Sequence, residues 1–292
     1  MSKGWNNKLN RFAAGIVLYN PDLDRLKDNI YAIYEKVELL VLVDNASDNF
    51  EKIKDMYSAN SKILFICNDK NLGIATALNQ IMKCGLQKGF NWILTLDQDS
   101  ICPDNLLEEY EKLIEFDKTA IISPKIIDRN IETNYSHESQ EPDFEKIKKC
   151  ITSGSLVNTN IWNQIGGFDD AMFIDEVDFE FCIRVINSGF CIIRANKTKL
   201  LHEIGHITVR RFLFWNVTVK NHNAFRKYHI AKNVVYVAKK NSTYRGIIMA
   251  YLRILKIMSI TILYESRKRE KIISIVKGLR DSREEINLNK KV

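Results

Sequence analysis

A chain of 292 residues is long enough to bury a large core, either as one big domain or as a domain with an appendage. Its composition is that of an ordinary globular protein, which excludes collagenous, low-complexity and disulfide-stapled classes; the six cysteines show no C-x-x-C pair and no zinc spacing, and read as free thiols of a reducing compartment. The net charge of +7 is uneven: twenty of the basic and five of the acidic residues fall after residue 206, so that tail nets +15 and the body before it −8.

In chain order, Met1 to Arg11 is polar and lacks an apolar h-region, so no secretory signal is expected. Phe12–Tyr19 is an apolar run stopped by Asn20-Pro21, which predicts a buried parallel strand and a turn. Asp22–Tyr34 has Leu23, Leu26, Ile30 and Ile33 at helical spacing. Glu38–Val43 predicts a second buried strand, ending in the polar turn Asp44-Asn-Ala-Ser-Asp48 before a helix near Phe50–Ser58. Lys62–Cys67 predicts a third strand. Asn71-Leu-Gly-Ile-Ala75 opens a helix that runs past Asn79 to about Leu86. Strand, helix, strand, helix in about a hundred residues is the signal of βαβ units and a parallel sheet.

The fourth strand ends in Leu96-Asp97-Gln98-Asp99-Ser100. Read as a continuing strand, Asp97 and Asp99 share one side and Gln98 faces away. Two close carboxylates suit a hard cation, Mg2+ or Mn2+, that also takes oxygens from a diphosphate. The plainer alternative is a polar strand end with Asp99 or Ser100 capping the next helix. Ligands of such sheets lie beyond the carboxyl ends of the strands, and every polar cluster so far falls at one, which favours a cleft. No G-x-G-x-x-G follows the first strand and no G-x-x-x-x-G-K-[ST] occurs, which argues against a dinucleotide fold and a P-loop.

Cys102–Phe116 predicts a helix and Ala120–Ser123 a strand; Asp128–Lys149 is polar and charged and reads as a mobile loop or small insertion. Thr152–Val157 resumes a strand. Gly166-Gly-Phe-Asp169 leads to Phe173-Ile-Asp175-Glu176-Val177-Asp178-Phe179-Glu180, where a helix starting near Asp178 turns Phe181 and Val185 inward. A carboxylate at that positive helix start can serve as a general base; an acidic helix N-terminus is the plainer alternative. The tail interleaves bases and aromatics from Arg210 to Trp215. It continues with an apolar Gly246–Tyr264 interrupted by Arg253 and Lys256, then Arg267-Lys-Arg-Glu-Lys271. No nucleic-acid module accompanies it. It predicts an interfacial helix with a polybasic flank, or a helix packed on the body or in a homodimer.

These residues resemble, in order, the motifs of inverting family-2 glycosyltransferases of GT-A fold, in particular the bacterial rhamnosyltransferase branch. The matches are Val17-Leu-Tyr-Asn20, Asp44-Asn-Ala-Ser47, Asn71-Leu-Gly-Ile-Ala75 with Asn79, Leu96-Asp-Gln-Asp-Ser100, Ser153-Gly154, Gly166-Gly-Phe-Asp169, Phe173 through Arg184, and His202. Lys277-Gly-Leu-Arg-Asp281 is a softer match. The resemblance implies a GT-A catalytic domain over 1–206, with a nucleotide half at about 11–100 and an acceptor half at about 101–206, and a basic helical extension over 207–292. It implies that Tyr19, Asn20, Asp44, Asn71, Gly73, Asn79, Asp97 and Gln98 line the nucleotide, Gly73 because backbone must approach the ligand. Asp99, with Asp97 and His202, would hold Mn2+ or Mg2+; His206 competes with His202. The base would be Asp178, six residues before Arg184, with Glu176 or Asp175 as alternatives because Val177 stands where Glu is usual.

The expected function is transfer of a sugar, L-rhamnose from its dTDP donor, to a glycan or lipid-linked glycan at the inner face of the cell membrane, in the cytoplasm. UDP-galactofuranose or a UDP-N-acetylhexosamine are alternative donors. A sugar-phosphate nucleotidyltransferase and a non-catalytic nucleotide-sugar binding module are the alternatives of other classes.

Overall fold

A computed structural model of the chain describes residues 11–128, 141–202, 208–212, 215–241 and 244–289. The first hundred residues alternate as the pattern predicts: β1 (Phe12–Leu18), α1 (Leu23–Tyr34), β2 (Leu39–Asp44), α2 (Phe50–Tyr57), β3 (Ile63–Cys67), α3 (Ile74–Gln87) and β4 (Trp92–Asp97). Then follow α4 (Leu106–Ile114), β5 (Thr119–Asp128), β6 (Phe144–Ile147), β7 (Ser155–Asn158), α5 (Thr159–Gln164), α6 (Val177–Asn187) and β8 (Cys191–His202). The chain closes with β9 (Thr208–Phe212), β10 (Trp215–Val219), α7 (Ala224–Asn241), α8 (Tyr244–Tyr264) and α9 (Lys268–Asn289).

One sheet runs β3-β2-β1-β4-β7-β5-β8-β6. β3, β2, β1 and β4 are parallel, so their carboxyl ends share one edge. β7 then enters antiparallel between β4 and β5, and β8 returns parallel to β5. The mostly parallel sheet that the GT-A resemblance implies is present, with its antiparallel members in the second half. A correction concerns Asp128–Lys149: β6 lies within this stretch and pairs antiparallel with β8, so part of the polar segment is sheet edge. Its side chains alternate exposed and half-buried, the mark of an edge strand with one covered face. Another concerns the basic tail, whose first stretch forms the antiparallel hairpin β9–β10 before any helix begins.

The pleat sorts the strands' side chains onto two cores. Leu40 and Leu42 of β2 face α1 and α4, meeting Leu26, Ile30, Leu106 and Tyr110. Val41 and Val43 face the other way, toward Leu78 and Ile81 of α3 and Phe181 of α6. Tyr236 and Val237 of α7 belong to that second core, so α7 is packed onto the body. α8 and α9 join α7 through a third cluster of Ile230, Val234, Ile254 and Ile275. Gly278 of the Lys277–Asp281 motif explains the tightness of the α7–α9 contact: a Cβ there would stand 2.3 Å from the Tyr228 carbonyl oxygen. Asp281 of the same motif accepts from the Tyr228 hydroxyl at 2.9 Å.

A buried ion cluster locks this bundle. Lys227 lies 2.6 Å from one Glu265 oxygen and Lys271 2.8 Å from the other. Burial pushes the Glu265 carboxyl up, but the two lysines prevail and hold it below its ordinary value.

Candidate active site

The carboxyl ends of β1, β2 and β4 bring the first group of residues together. Asp44 ends β2 and is 2% exposed. Its Oδ2 accepts from the Ser47 N–H at 3.0 Å, while its Oδ1 has no hydrogen-bond partner. A buried carboxylate oxygen without a donor costs about 1–3 kcal/mol, a cost that a donor from a ligand or water would relieve. Asn20, in the left-handed region at φ 48°, joins the β1 turn to the β2 turn: its N–H donates to the Ser47 hydroxyl at 2.8 Å and its Oδ1 accepts from the Asp48 N–H at 2.7 Å. Tyr19 stands beside them with half of its surface exposed.

Several predicted ligand residues turn out to hold the wall of the cleft. Gln98 accepts from the Tyr19 N–H at 2.9 Å and donates to its carbonyl at 3.4 Å. It pins Tyr19 and does not face away, because β4 stops at Asp97 and Gln98–Asp99 form a turn. The strand-pleat argument for Asp97 and Asp99 therefore does not apply; a turn, with Asp99 half-buried, carries the second carboxylate. Asn79 commits its amide to protein, donating to the Phe168 carbonyl and Asp170 and accepting from the Phe168 N–H and Trp162 Nε1. It staples the 166–170 loop. Gly73 has a packing role as well: at φ 86°, a Cβ would stand 2.5 Å from the Phe173 carbonyl oxygen. The close approach it permits is to Phe173, whose carbonyl accepts from Ile74 N–H at 2.7 Å. Asn71 caps that turn, its Oδ1 accepting from the Gly73 N–H at 2.9 Å.

Ser153 ties the carboxylate turn to the other half of the sheet. Its hydroxyl oxygen accepts from the Asp97 N–H at 3.2 Å, and it lies 2.6 Å from the Ser100 hydroxyl. An isolated antiparallel bridge between Ile101 and Leu201 draws the end of β8, and so the backbone of His202, alongside the same turn. The side chain of His202, and all of His206, lie outside the described residues. Among the described residues, no three His, Cys, Asp or Glu side chains converge as a metal cluster. Asp97 and Asp99 supply hard oxygen donors of the kind Mg2+ and Mn2+ prefer, a partial set that such ions complete with water and phosphate oxygens.

The acidic stretch at the start of α6 is where the tertiary structure discriminates most. Asp175 and Glu176 both have left-handed backbones, φ 66° and 65°, a conformation that costs a non-glycine residue roughly 1–2 kcal/mol. Asp175 receives Arg226 of α7, Nε at 3.1 Å and Nη2 at 2.9 Å. Glu176 receives Arg253 of α8 at 2.6 Å. Glu180, fully buried, takes the Arg184 guanidinium in a fork at 2.7–2.9 Å and Lys240 at 3.0 Å; Arg184 also donates to the carbonyls of Ile165 and Gly167. Asp169 pairs with Tyr236 and Lys240.

Asp178 differs from all of these. Its hydrogen bond is from the Phe179 N–H at 2.9 Å, and among the described residues no cation pairs with it. A small hollow lined by Cys150, Val157, Phe168, Phe181 and Cys182 lies against it. Burial raises its carboxyl to about 7, against the pull of the Phe179 N–H, and the like charges of Glu176 and Asp97 push the same way. A carboxylate poised near neutrality is suited to take up a proton. Asp97, at the end of β4, is close enough for its charge to act on Asp178.

A mixed sheet, a carboxylate turn after the fourth strand and an acid at a helix start are what the motif resemblance to nucleotide-sugar transferases implies for this chain. The glycosyl transferase family 2 model matches residues 16–178, more than half of the chain, and the chain belongs to that family. It is 30% identical over 243 residues to a dTDP-rhamnosyl transferase, RfbF, of Shigella flexneri, covering 78% of this chain and 80% of that one. It is 32% identical over 90 residues to poly-beta-1,6-N-acetyl-D-glucosamine synthase of Staphylococcus aureus, a match of 30% of this chain and 21% of the relative. Among solved structures, S. aureus TarS 1-349 superposes with a TM-score of 0.59 at 13% identity, over 93% of this chain and 80% of that one. GalNAc-T7 with UDP, GalNAc and Mn2+ does so with 0.59 at 15% identity, over 80% of this chain and 48% of that one. The fold is the GT-A arrangement that the motif order implied, with helices at the C-terminal end. The chain is a glycosyltransferase.

The sequence reading missed Asn233, Arg226 and Arg253 around the acidic stretch. Their only local signal is membership of a basic, partly apolar tail.

Proposed function

We propose that this chain transfers L-rhamnose from dTDP-L-rhamnose, with inversion, to a hydroxyl of a cell-surface polysaccharide or lipid-linked glycan. The observation that carries the reading is Asp178, the acid of its stretch that has no cationic partner among the described residues and whose carboxyl is raised to about 7. The donor is suggested by the relative from Shigella flexneri.

In this reading Tyr19, Asn20, Asp44 and Asn71 line base and ribose, and the orphan Oδ1 of Asp44 takes a donor from the nucleotide. Gly73, Asn79 and Gln98 keep the walls in place. Asp97 and Asp99, with His202, hold Mn2+ or Mg2+, which when bound supplies charge neutralisation for a departing diphosphate. Asp178 accepts the proton of the acceptor hydroxyl as that oxygen attacks the anomeric carbon and the bond to the diphosphate breaks. A single displacement of this kind inverts the centre and needs no covalent intermediate.

The same proposal divides the chain at about residue 206 into a GT-A catalytic domain and a basic extension, and places the enzyme in the cytoplasm, peripheral on the membrane. α8 is long and apolar enough to cross a membrane by length and composition alone. Its ties, Arg253 to Glu176 of the body and Thr261 to Lys227 of α7, favour a helix lying along the protein. Its exposed Met249, Leu252, Leu255, Ile262 and Leu263 suit the acyl boundary, with Arg267, Lys268 and Arg269 beside anionic headgroups. A homodimer through the same face would cover the same side chains.

The test is a donor panel. The protein is incubated with Mg2+ or Mn2+, a membrane extract bearing lipid-linked glycans, and dTDP-L-rhamnose, UDP-N-acetylglucosamine or UDP-galactofuranose. Sugar incorporation from dTDP-L-rhamnose alone is expected. Incorporation from a UDP donor only would remove the rhamnose assignment and keep the class. Pyrophosphate release from dTTP and a sugar 1-phosphate would move the chain to the nucleotidyltransferases.

A further inference from the structure

The C-terminal helices reach into the acidic stretch in a way that a mere appendage does not require. Two consecutive non-glycine residues, Asp175 and Glu176, hold left-handed backbones directly before α6. Such a pair persists only where the surroundings over-determine it. Here α7 and α8 supply side-chain partners for the turn. Asn233, completely buried, donates both of its amide hydrogens, to the carbonyls of Ile174 at 2.8 Å and Asp175 at 3.0 Å. Two carbonyl acceptors at that distance require the amide nitrogen on this side, so its orientation follows from the network. Arg226 grips the Asp175 carboxylate with two nitrogens, and Arg253 holds Glu176.

We propose that Asn233, Arg226 and Arg253 are positioning residues that lock the left-handed turn at Asp175–Glu176, and so aim Asp178 into the cleft while keeping the two neighbouring acids out of it. The active site is then incomplete without the extension. The turn is the last backbone before the first turn of α6, and its two dihedral pairs set the direction in which α6 leaves and hence where Asp178 stands. Each arginine also gives one competing carboxylate a fixed partner, which leaves a single acid free to face an acceptor. The assignment rests on the reading of Asp178 as the base; the geometry of the lock does not.

The experiment compares Asn233→Asp, Arg253→Ala and Arg253→Lys with the wild type and with Asp178→Asn. Asn233→Asp keeps the size of the side chain and exchanges the donor for a charge that faces two carbonyls. Two readouts are taken: steady-state release of dTDP from dTDP-L-rhamnose, and hydrogen–deuterium exchange of the 174–181 amides without any ligand. Asn233→Asp and Arg253→Ala should lose about 10- to 100-fold in kcat, as expected for a misplaced catalytic group, with donor KM within about threefold. Arg253→Lys should recover to within about threefold of wild type. The 174–181 amides should exchange at least about tenfold faster in Asn233→Asp, with β1 and β2 unchanged.

Wild-type exchange at 174–181 in Asn233→Asp would overturn the lock for any donor. So would exchange raised equally in β1 and β2, or a change in KM as large as that in kcat. Turnover retained by Asp178→Asn would overturn the base assignment instead, with the exchange result still deciding the lock.

Discussion

Replacing Asp178 by asparagine separates the chemistry of the site from its stability, and the two should move in opposite directions. Asparagine keeps the shape and the acceptor for the Phe179 N–H, and removes only the ionisable oxygen. The folded-state carboxyl stands at about 7 against an ordinary 3.8. At 1.36 kcal/mol per pH unit that gap is worth at most about 4 kcal/mol. The residue is only partly buried, so solvent screens a share of it, and about 1–2 kcal/mol is the working figure. The sign follows from the raised value. The folded protein holds the proton more tightly than the unfolded chain, so the carboxyl is harmless below about pH 4. It destabilises increasingly as pH rises toward 7, and fully above it. Asp178→Asn should therefore melt at the wild-type temperature near pH 4 and about 2–6 °C higher at pH 8, in scans without divalent ions. Sugar transfer should be abolished, while dTDP binding by calorimetry stays within about threefold. Equal melting temperatures at pH 8 would refute the burial argument, and residual transfer at the wild-type rate would refute the role of the residue.

In the wild type, kcat/KM should climb with pH and level off above about 7, as the base loses its proton; a flat profile between pH 5 and 8 would point to another group. Gly73→Ala meets both a positive φ and the Phe173 carbonyl at 2.5 Å, so it should cost about 1–3 kcal/mol in denaturant melts and lower turnover by displacing the base loop. Glu265→Ala strands Lys227 and Lys271 in the interior and should cost about 3–5 kcal/mol, read as a fall in the urea midpoint. Leu252→Glu with Leu255→Glu should abolish flotation with phosphatidylglycerol vesicles at unchanged melting temperature, since both side chains are more than half exposed. Undiminished flotation would remove the lipid role of that face, and a change in sedimentation alone would assign it to self-association.

The half of the fold up to β4 was readable because each piece announces itself locally. β1 and β2 are buried on both faces and so are continuous apolar runs, and α1 and α3 carry 3.6-residue stripes. Past β4 the local signals thin out. β6 lies in a polar segment because it is an edge with one covered face, and β7 runs antiparallel for reasons set by its two neighbours, which no run of its own residues encodes. The hairpin β9–β10 was hidden by its charge.

The sequence by itself determined the family and the candidates for its chemistry: a set of polar residues at strand ends, a pair of carboxylates, and an acidic stretch before α6. Only the tertiary structure decided which of these groups are engaged by other parts of the chain. Gln98, Asn79 and Gly73 are spent on Tyr19, the 166–170 loop and Phe173, while Asp175 and Glu176 are claimed by arginines 51 and 77 positions further along the chain. The physical reason is that a carboxylate's behaviour depends on what cation or cavity stands within a few ångströms, and contacts across such separations leave no periodicity in the chain to read.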